Sequence, residues 1–188
     1  MIRFIFVVIF LSSLNINAVS PSSAEKIKLD YINDYKDIAI AEMYRTGIPA
    51  SIILAQGLLE SKSGTSDLAI KANNHFGIKC KSYWRGDTYF HKDDDYDEQG
   101  NLIKSCFRYY DSPIESYVDH SNFLMQSSNY ANLFLLPKDD FASWAWGLKA
   151  AGYATDKMYA VKLIKIIQKF ELYKYDEAQN PWKTILKQ

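Results

Sequence analysis

The sequence lacks an excess of either charge. Its 188 residues include 22 Lys and Arg and 22 Asp and Glu, so the formal net charge at pH 7 is zero. Proteins whose main partner is nucleic acid usually present a basic surface, and this composition provides no such field. We therefore expect a partner other than nucleic acid.

Cysteine and histidine are scarce, with 2 Cys and 3 His. Only His75 lies near Cys80 in the sequence, so a zinc site with four ligands lacks its other ligands.

The acidic run around residues 93–101 does not fit a calcium-binding EF-hand loop in either of two alignments. One alignment puts Cys106 where a bidentate Glu is needed, and the other puts Glu98 where Gly is needed. We expect no metal and no cofactor.

Long apolar runs are missing after the N-terminus, which itself reads MIRFIFVVIFLSSLNINAVS. Arg3 forms a short positive region, Phe4–Leu11 is apolar, and Ala18 is a small residue at a plausible cleavage point. This pattern predicts a signal peptide over residues 1–18 and a soluble product exported to the periplasm or the cell surface, with no stable membrane insertion after cleavage. A retained N-terminal anchor is the alternative.

An internal repeat is also missing, so the rest of the chain is predicted to be one domain. We expect a flexible leader at residues 19–25, a domain at 26–175 and a loose polar tail at 176–188.

Aromatic residues make up 15% of the chain, which is more than a core of this size usually needs. Some of them are expected to line a surface groove.

Apolar spacing predicts an α+β domain that is mostly helical with a small β-hairpin lobe. Helices are predicted at residues 26–45, from Pro49 to Glu60, from Thr65 to Ala72, and in three segments after residue 112. The hairpin is predicted between Phe76 and Tyr110.

The two cysteines, Cys80 and Cys106, flank a segment of strand-like character. Their ends could meet across a hairpin, and an even pair in an exported protein favours a disulfide. Such a bond would constrain the unfolded chain by roughly 3 kcal/mol. Two unpaired thiols are the alternative.

Glu60 ends a predicted helix that is apolar on most sides. A carboxylate there faces the negative end of the helix dipole and is close to apolar groups, and both effects raise its pKa. A carboxylic acid that stays protonated near neutral pH can act as a general acid. The alternative is a surface Glu at a frayed helix end.

Polar and aromatic residues close to Glu60 favour a sugar-binding groove. Gln56 lies four residues before Glu60 on the same helical face, and Ser61 follows directly. Asn74 and Phe76 add an amide and a ring, the groups with which grooves hold sugars. Trp84, at the start of the predicted hairpin, could also stack on a sugar, with a core position as its alternative.

The stretch ILAQGLLESKSGTSDLAIKANNHFGIKCKSYWRGDT resembles the catalytic motif of the bacterial glucosaminidases of glycoside hydrolase family 73. That family pattern has Ala-Gln before Glu-Ser, then Gly, Ser-x-Leu-Ala and Asn-x-Phe-Gly-Ile-Lys. The matching residues here are Gln56, Glu60, Ser61, Gly64, Ser66, Leu68, Ala69, Asn74, Phe76, Gly77, Ile78 and Lys79. The later blocks FRYYDSPIESYVDHSNFL and GYATDKMYAVKLIKII are also similar, so the resemblance covers roughly residues 38–172.

The resemblance implies a peptidoglycan hydrolase with a lysozyme-like fold. The expected reaction is hydrolysis of the β-1,4 bond between N-acetylglucosamine and N-acetylmuramic acid in the glycan strand, by a monomer without a cofactor. Glu60 would be the general acid, and Tyr153 would face the sugar near its N-acetyl group. One departure is that Glu60–Gly64 lacks the Trp that could wall the cleft in the family's Glu-Ser-Gly-Trp-Gly.

A second acid is expected on the hairpin, where the family often has Thr-x-Glu-Tyr. Asp95, directly before Tyr96, is the best match, and Asp94 is the alternative because the register across the turn is open. Carboxylates about 5 Å apart would imply retention of configuration, and a gap of roughly 6.5–9.5 Å would imply inversion. Assistance by the substrate's own acetamido group needs no second acid.

Two other functions are compatible with the same residues. A muramidase or lytic transglycosylase on this fold also needs one Glu at a helix end. A non-catalytic glycan-binding protein of the cell wall could keep the groove without the chemistry.

Overall fold

The computed structural model of the protein describes residues 21–181 and 183, apart from the side chains at positions 93–95. The helices are α1 (Ser23–Thr46), α2 (Ala50–Glu60), α3 (Asp67–Ala72), α4 (Pro113–Gln126), α5 (Phe141–Ala150) and α6 (Tyr159–Lys169). Shorter 3-10 helices span Ser128–Leu135 and Leu172–Tyr175, and the strands are β1 (Thr88–Tyr96) and β2 (Leu102–Arg108). The predicted mostly helical α+β fold is confirmed.

The predicted signal peptide, residues 1–18, lies outside the described residues. Among the helices that the structure describes, none combines the length and hydropathy that crossing a membrane requires.

Helix α2 forms the centre of the core. All of its residues from Ala50 to Leu58 are buried, and α1, α5 and α6 pack around it. A helix that is apolar nearly all round is expected to be enclosed in this way. Gly57 permits an especially close approach, because a Cβ there would lie 2.7 Å from the Tyr31 hydroxyl and 2.8 Å from the Tyr117 hydroxyl.

The hairpin forms a separate lobe. β1 and β2 pair antiparallel with Thr88 opposite Arg108, and the register becomes irregular between Lys92 and Tyr96. A disulfide joins Cys80 to Cys106, whose Cα atoms are 5.3 Å apart. It ties the segment that follows α3 to strand β2.

The N-terminal boundary of the fold differs from the prediction. Helix α1 begins at Ser23, so the second half of the predicted flexible leader is helical. Ser22 caps this helix, because its Oγ accepts a hydrogen bond from the Glu25 amide at 3.2 Å.

The C-terminal boundary also differs, because Asp176 is held against the core rather than starting a loose tail. Its carboxylate accepts hydrogen bonds from the Ser51 amide at 2.8 Å and the Ser51 hydroxyl at 2.6 Å. Helix α2 has no side-chain cap of its own, since Pro49 occupies the N-cap position. Asp176 therefore caps α2 from 125 residues away, a contact that local sequence patterns cannot indicate.

We expect Asp176→Ala to lower the free energy of unfolding by about 1–2 kcal/mol at pH 5, because α2 loses its cap. Burial raises the pKa of Asp176 to about 6, from an ordinary value of 3.8. The stability from this group is therefore fully present below pH 3.8 and declines as the pH rises through about 6.

Asp176→Asn retains an acceptor for the Ser51 amide and should remove that part of the pH dependence. Denaturant unfolding of both variants between pH 4 and 7 measures this, with the exposed Asp87→Ala as the matched control. Equal stability of Asp176→Ala and Asp87→Ala at pH 5 would contradict the capping role.

Candidate active site

Glu60 lines a cleft with a volume of about 430 Å³ between the helical core and the hairpin lobe. The end of α2, the segment after α3, strand β2 and the loop before α6 all contribute to its walls. The residues that line it are Glu60, Leu68, Phe76, Gly77, Ile78, Lys79, Lys81, Phe107, Arg108, Phe123, Tyr130, Tyr153 and Ala154. Among the described residues of this lining, Glu60 is the one acid, and several aromatic rings lie around it, as the sequence predicts.

A tight turn holds Glu60 at the point where α2 leaves the core. Three successive residues, Lys62, Ser63 and Gly64, have left-handed backbones with φ values of 51°, 59° and 79°. Ser61 fixes the turn, because its Oγ donates to the Gly57 carbonyl at 2.5 Å and accepts from the Gly64 amide at 2.7 Å. Ser61 is fully buried and has no surface for contact with a ligand.

Burial is the main cause that raises the pKa of Glu60 above its ordinary value. A hydrogen bond from Tyr159 and the positive charge of Lys162 act in the opposite direction and are weaker. The Tyr159 hydroxyl donates to Glu60 Oε1 at 2.9 Å. The result is a partly buried carboxyl group that gains a proton more readily than a solvated one, as a general acid requires.

Gln56 lies beneath Glu60 rather than at the cleft surface. It is fully buried, and its Nε2 donates to the Tyr159 hydroxyl at 3.0 Å. The structure therefore gives Gln56 no exposed surface for the substrate contact that the sequence suggested. Its partner is another buried side chain.

Tyr159 is a residue of the site that the sequence did not predict. It begins α6 and lies 99 residues after Glu60 in the chain, so only the packing of α6 against α2 brings the two side chains together. The available signal was its place in the block GYATDKMYAVKLIKII, six residues after Tyr153.

Tyr153 lies in the cleft beside Glu60. Its ring stacks on that of Tyr159, with centroids 5.5 Å apart and planes inclined by 27°. Burial, and next the nearby charge of Glu60, raises the pKa of Tyr153 well above its ordinary value. Tyr153 is therefore a neutral phenol in the cleft.

Asn74 and Phe76 build the wall of the cleft from behind. The side-chain Nδ2 of Asn74 donates to the backbone carbonyls of Ile78 at 3.0 Å and Arg108 at 2.8 Å. Its side-chain oxygen accepts a hydrogen bond from the backbone amide of Ile78 at 3.0 Å. Phe76 stacks on His120 with ring centroids 3.9 Å apart. Asn74 is 1% exposed and Phe76 5%, so both shape the wall more than they present surface to a ligand.

Trp84 is not among the residues that line the Glu60 cleft. It lines a separate depression together with Tyr110 and Ile114. The Arg108 guanidinium lies 4.5 Å from the centre of the Trp84 ring. Nε1 of Trp84 donates to the Asp87 carbonyl at 3.0 Å. Arg108 lines the cleft, and its guanidinium contacts Trp84 and Asp119, two residues of this depression.

The side chains of Asp94 and Asp95 lie outside the described part of the structure, so the position of a second acid stays a prediction. Elsewhere in the described chain, no group of three or more His, Cys, Asp or Glu side chains is arranged to hold a metal ion.

The site and the fold together define a class of protein. A carboxyl group with a raised pKa, in an aromatic cleft between a helical core and a hairpin, is the arrangement of a lysozyme-like glycoside hydrolase. Residues 36–172 match the glucosaminidase family, described as mannosyl-glycoprotein endo-beta-N-acetylglucosaminidase. The chain belongs to this family, and the resemblance to glycoside hydrolase family 73 is confirmed.

Individual relatives agree with this assignment. The exo-glucosaminidase LytG of Bacillus subtilis is 30% identical over 165 residues, which cover 86% of this chain and 57% of the relative. The peptidoglycan hydrolase FlgJ of Escherichia coli K12 is 31% identical over 132 residues, covering 68% and 42%. The chain thus spans about half the length of these curated relatives.

A solved structure shows the same fold. The catalytic domain of the autolysin Auto from Listeria monocytogenes superimposes with a TM-score of 0.69 at 26% identity, over 85% of this chain and 91% of that domain.

We expect Tyr159→Phe to raise the pKa of Glu60 further, because the carboxylate loses the hydrogen bond that favours its charged form. Titration of the Glu60 ¹³Cδ signal by NMR measures this, with the signal assigned by its loss in Glu60→Gln. Tyr173→Phe, at an exposed tyrosine, is the control. An unchanged or lowered pKa in Tyr159→Phe would contradict the assignment of Tyr159 as the donor.

Proposed function

We propose that the protein is an exported peptidoglycan hydrolase that cleaves the β-1,4 bond between N-acetylglucosamine and N-acetylmuramic acid and leaves a reducing N-acetylglucosamine end. The observation that carries this proposal is Glu60, a carboxyl group with a raised pKa on the cleft. The names of the relatives, exo-glucosaminidase and peptidoglycan hydrolase, support the substrate class. Export rests on the predicted signal peptide at residues 1–18.

In the proposed reaction, Glu60 gives its proton to the glycosidic oxygen as the bond from that oxygen to the anomeric carbon breaks. The electron pair of the broken bond stays on the leaving oxygen. A water molecule then adds to the anomeric carbon and gives up a proton. We assign the activation of this water to the hairpin acid, Asp95, with Asp94 as the alternative.

The other residues have supporting parts in this proposal. Tyr153 contacts the sugar near its N-acetyl group, since its ring lies in the cleft beside Glu60. The buried Ser61 and Asn74 act without touching the substrate, because their hydrogen bonds fix the turn after α2 and the wall of the cleft.

A digest of purified peptidoglycan tests the bond and the acid together. Residues 19–188 are incubated with the glycan, the products are reduced, and their new ends are identified by mass spectrometry. We expect reduced N-acetylglucosamine ends from the wild type and from Glu115→Gln, the exposed-Glu control, and none from Glu60→Gln.

Other products would contradict parts of the proposal. Anhydro-muramic ends would indicate a lytic transglycosylase, and reduced muramic ends a muramidase, each with Glu60 still in the chemistry. Binding of the glycan by wild type and Glu60→Gln alike, without release of products, would indicate a non-catalytic glycan-binding protein.

The second acid is tested by Asp95→Asn and Asp94→Asn as a matched pair. Loss of the group that activates the water is expected to lower kcat by about 10²-fold or more, while the neighbouring variant stays close to the wild type. The anomeric configuration of the first product, followed by NMR, should be inverted. A retained configuration with both variants active would favour assistance by the substrate's acetamido group.

A further inference from the structure

The two oxygens of Glu60 have different surroundings. Oε1 accepts the hydrogen bond from the Tyr159 hydroxyl at 2.9 Å. Oε2 makes no hydrogen bond to the described residues, and Glu60 lines the cleft, so Oε2 is the oxygen left to contact a ligand there. A general acid can protonate a substrate only from the oxygen that faces it.

The direction of the Tyr159 hydroxyl proton follows from the residue behind it. A tyrosine hydroxyl has one proton to donate. Since Gln56 Nε2 donates to the Tyr159 oxygen at 3.0 Å, that proton points away from Gln56 and towards Glu60. Gln56 and Tyr159 are 0% and 3% exposed, so bulk water does not reorient the pair.

The hydrogen bonding of Gln56 is incomplete. Its Oε1 is buried and has no hydrogen-bond partner within the described structure. A buried polar atom without a partner is unfavourable for stability, and an apolar side chain of similar shape would avoid that cost. The amide is therefore better explained by its donation to Tyr159 than by packing.

We propose that Gln56, acting through Tyr159, confines the acidic proton of Glu60 to Oε2, the oxygen that faces the glycosidic bond. A proton on Oε1 would point at the Tyr159 hydroxyl proton, and the two would repel. This inference rests on the proposed role of Glu60 as general acid. Gln56 and Tyr159 are positioning residues, and neither gives a proton to the substrate.

Gln56 and Tyr159 also stabilise the Glu60 carboxylate that forms after proton transfer. Once Glu60 has given up its proton, the Tyr159 hydroxyl donates to a carboxylate, and hydrogen bonds to charged acceptors are stronger than neutral ones. The arrangement therefore needs no rotation of Gln56 or Tyr159 between the two protonation states of Glu60.

Gln56→Met is the primary test, because Met has nearly the same length and shape but no donor. We expect a fall in kcat on the order of tenfold with little change in KM, the factor that one hydrogen bond of typical net strength accounts for. We also expect the Glu60 ¹³Cδ titration to move to higher pH, because the Tyr159 hydroxyl is no longer directed at the carboxylate. Gln168→Met, at an exposed glutamine on α6, is the control.

A double variant tests whether Gln56 acts through Tyr159. In a Tyr159→Phe background, Gln56→Met should change neither kcat nor the Glu60 titration further. Full additivity of the two changes would overturn the proposal, and so would a Glu60 titration that moves to lower pH in Gln56→Met. A raised KM with unchanged kcat would overturn it in favour of direct substrate contact by Gln56.

The NMR titration separates this inference from the proposed function, since it needs no substrate. If the Glu60 titration shifts as expected in the variants but the protein releases nothing from peptidoglycan, the proposed function is contradicted and the hydrogen-bond chain is supported. If the variants are active but the Glu60 titration does not shift, the role of Gln56 and Tyr159 is contradicted and the proposed function is not. If Gln56→Met does not fold, as judged by circular dichroism, Tyr159→Phe interrupts the same chain from its other side.

Discussion

The site depends on one constraint, the enclosure of α2 by the rest of the core. The helix is buried along nearly its whole length, and its last residue is the acid. Removing a carboxyl group from water disfavours its charged form, so the enclosure that stabilises the fold also sets the chemistry of Glu60. The turn at Ser61–Gly64 lets the chain leave the core directly after the acid, and Asp176 fixes the opposite end of the same helix.

The hairpin side of the cleft is held by three kinds of bond. The disulfide joins Cys80 to Cys106, and Asn74 links the neighbouring segment to the backbone of β2. On the same strand, Nη1 of the Arg108 guanidinium donates to both carboxylate oxygens of Asp119, at 2.9 and 2.7 Å. Hydrogen bonds between charged groups are shorter and stronger than neutral ones. These bonds join the hairpin side of the cleft to α4 and to the segment that follows α3.

Local sequence patterns predicted the parts of the protein that local physics determines. The apolar run of α2, the end of α2 at Glu60 and the short helix that ends at Ala72 follow from spacing and capping rules. Tyr159 and Asp176 could not be predicted in this way, because each meets its partner across about a hundred residues or more. For the same reason the buried positions of Gln56, Ser61 and Asn74 were not evident. A polar residue next to a catalytic acid can face either the substrate or the protein, and only packing decides between them.

The central claim is that burial at the end of α2 keeps Glu60 protonated at a pH where a solvated glutamate has lost its proton. Titration of the Glu60 ¹³Cδ signal in the wild-type protein tests it directly. We predict a midpoint clearly above the ordinary glutamate value of 4.5. A midpoint at or below 4.5 would show that the Tyr159 hydrogen bond and Lys162 outweigh burial, and Glu60 would then be unsuited to act as the acid.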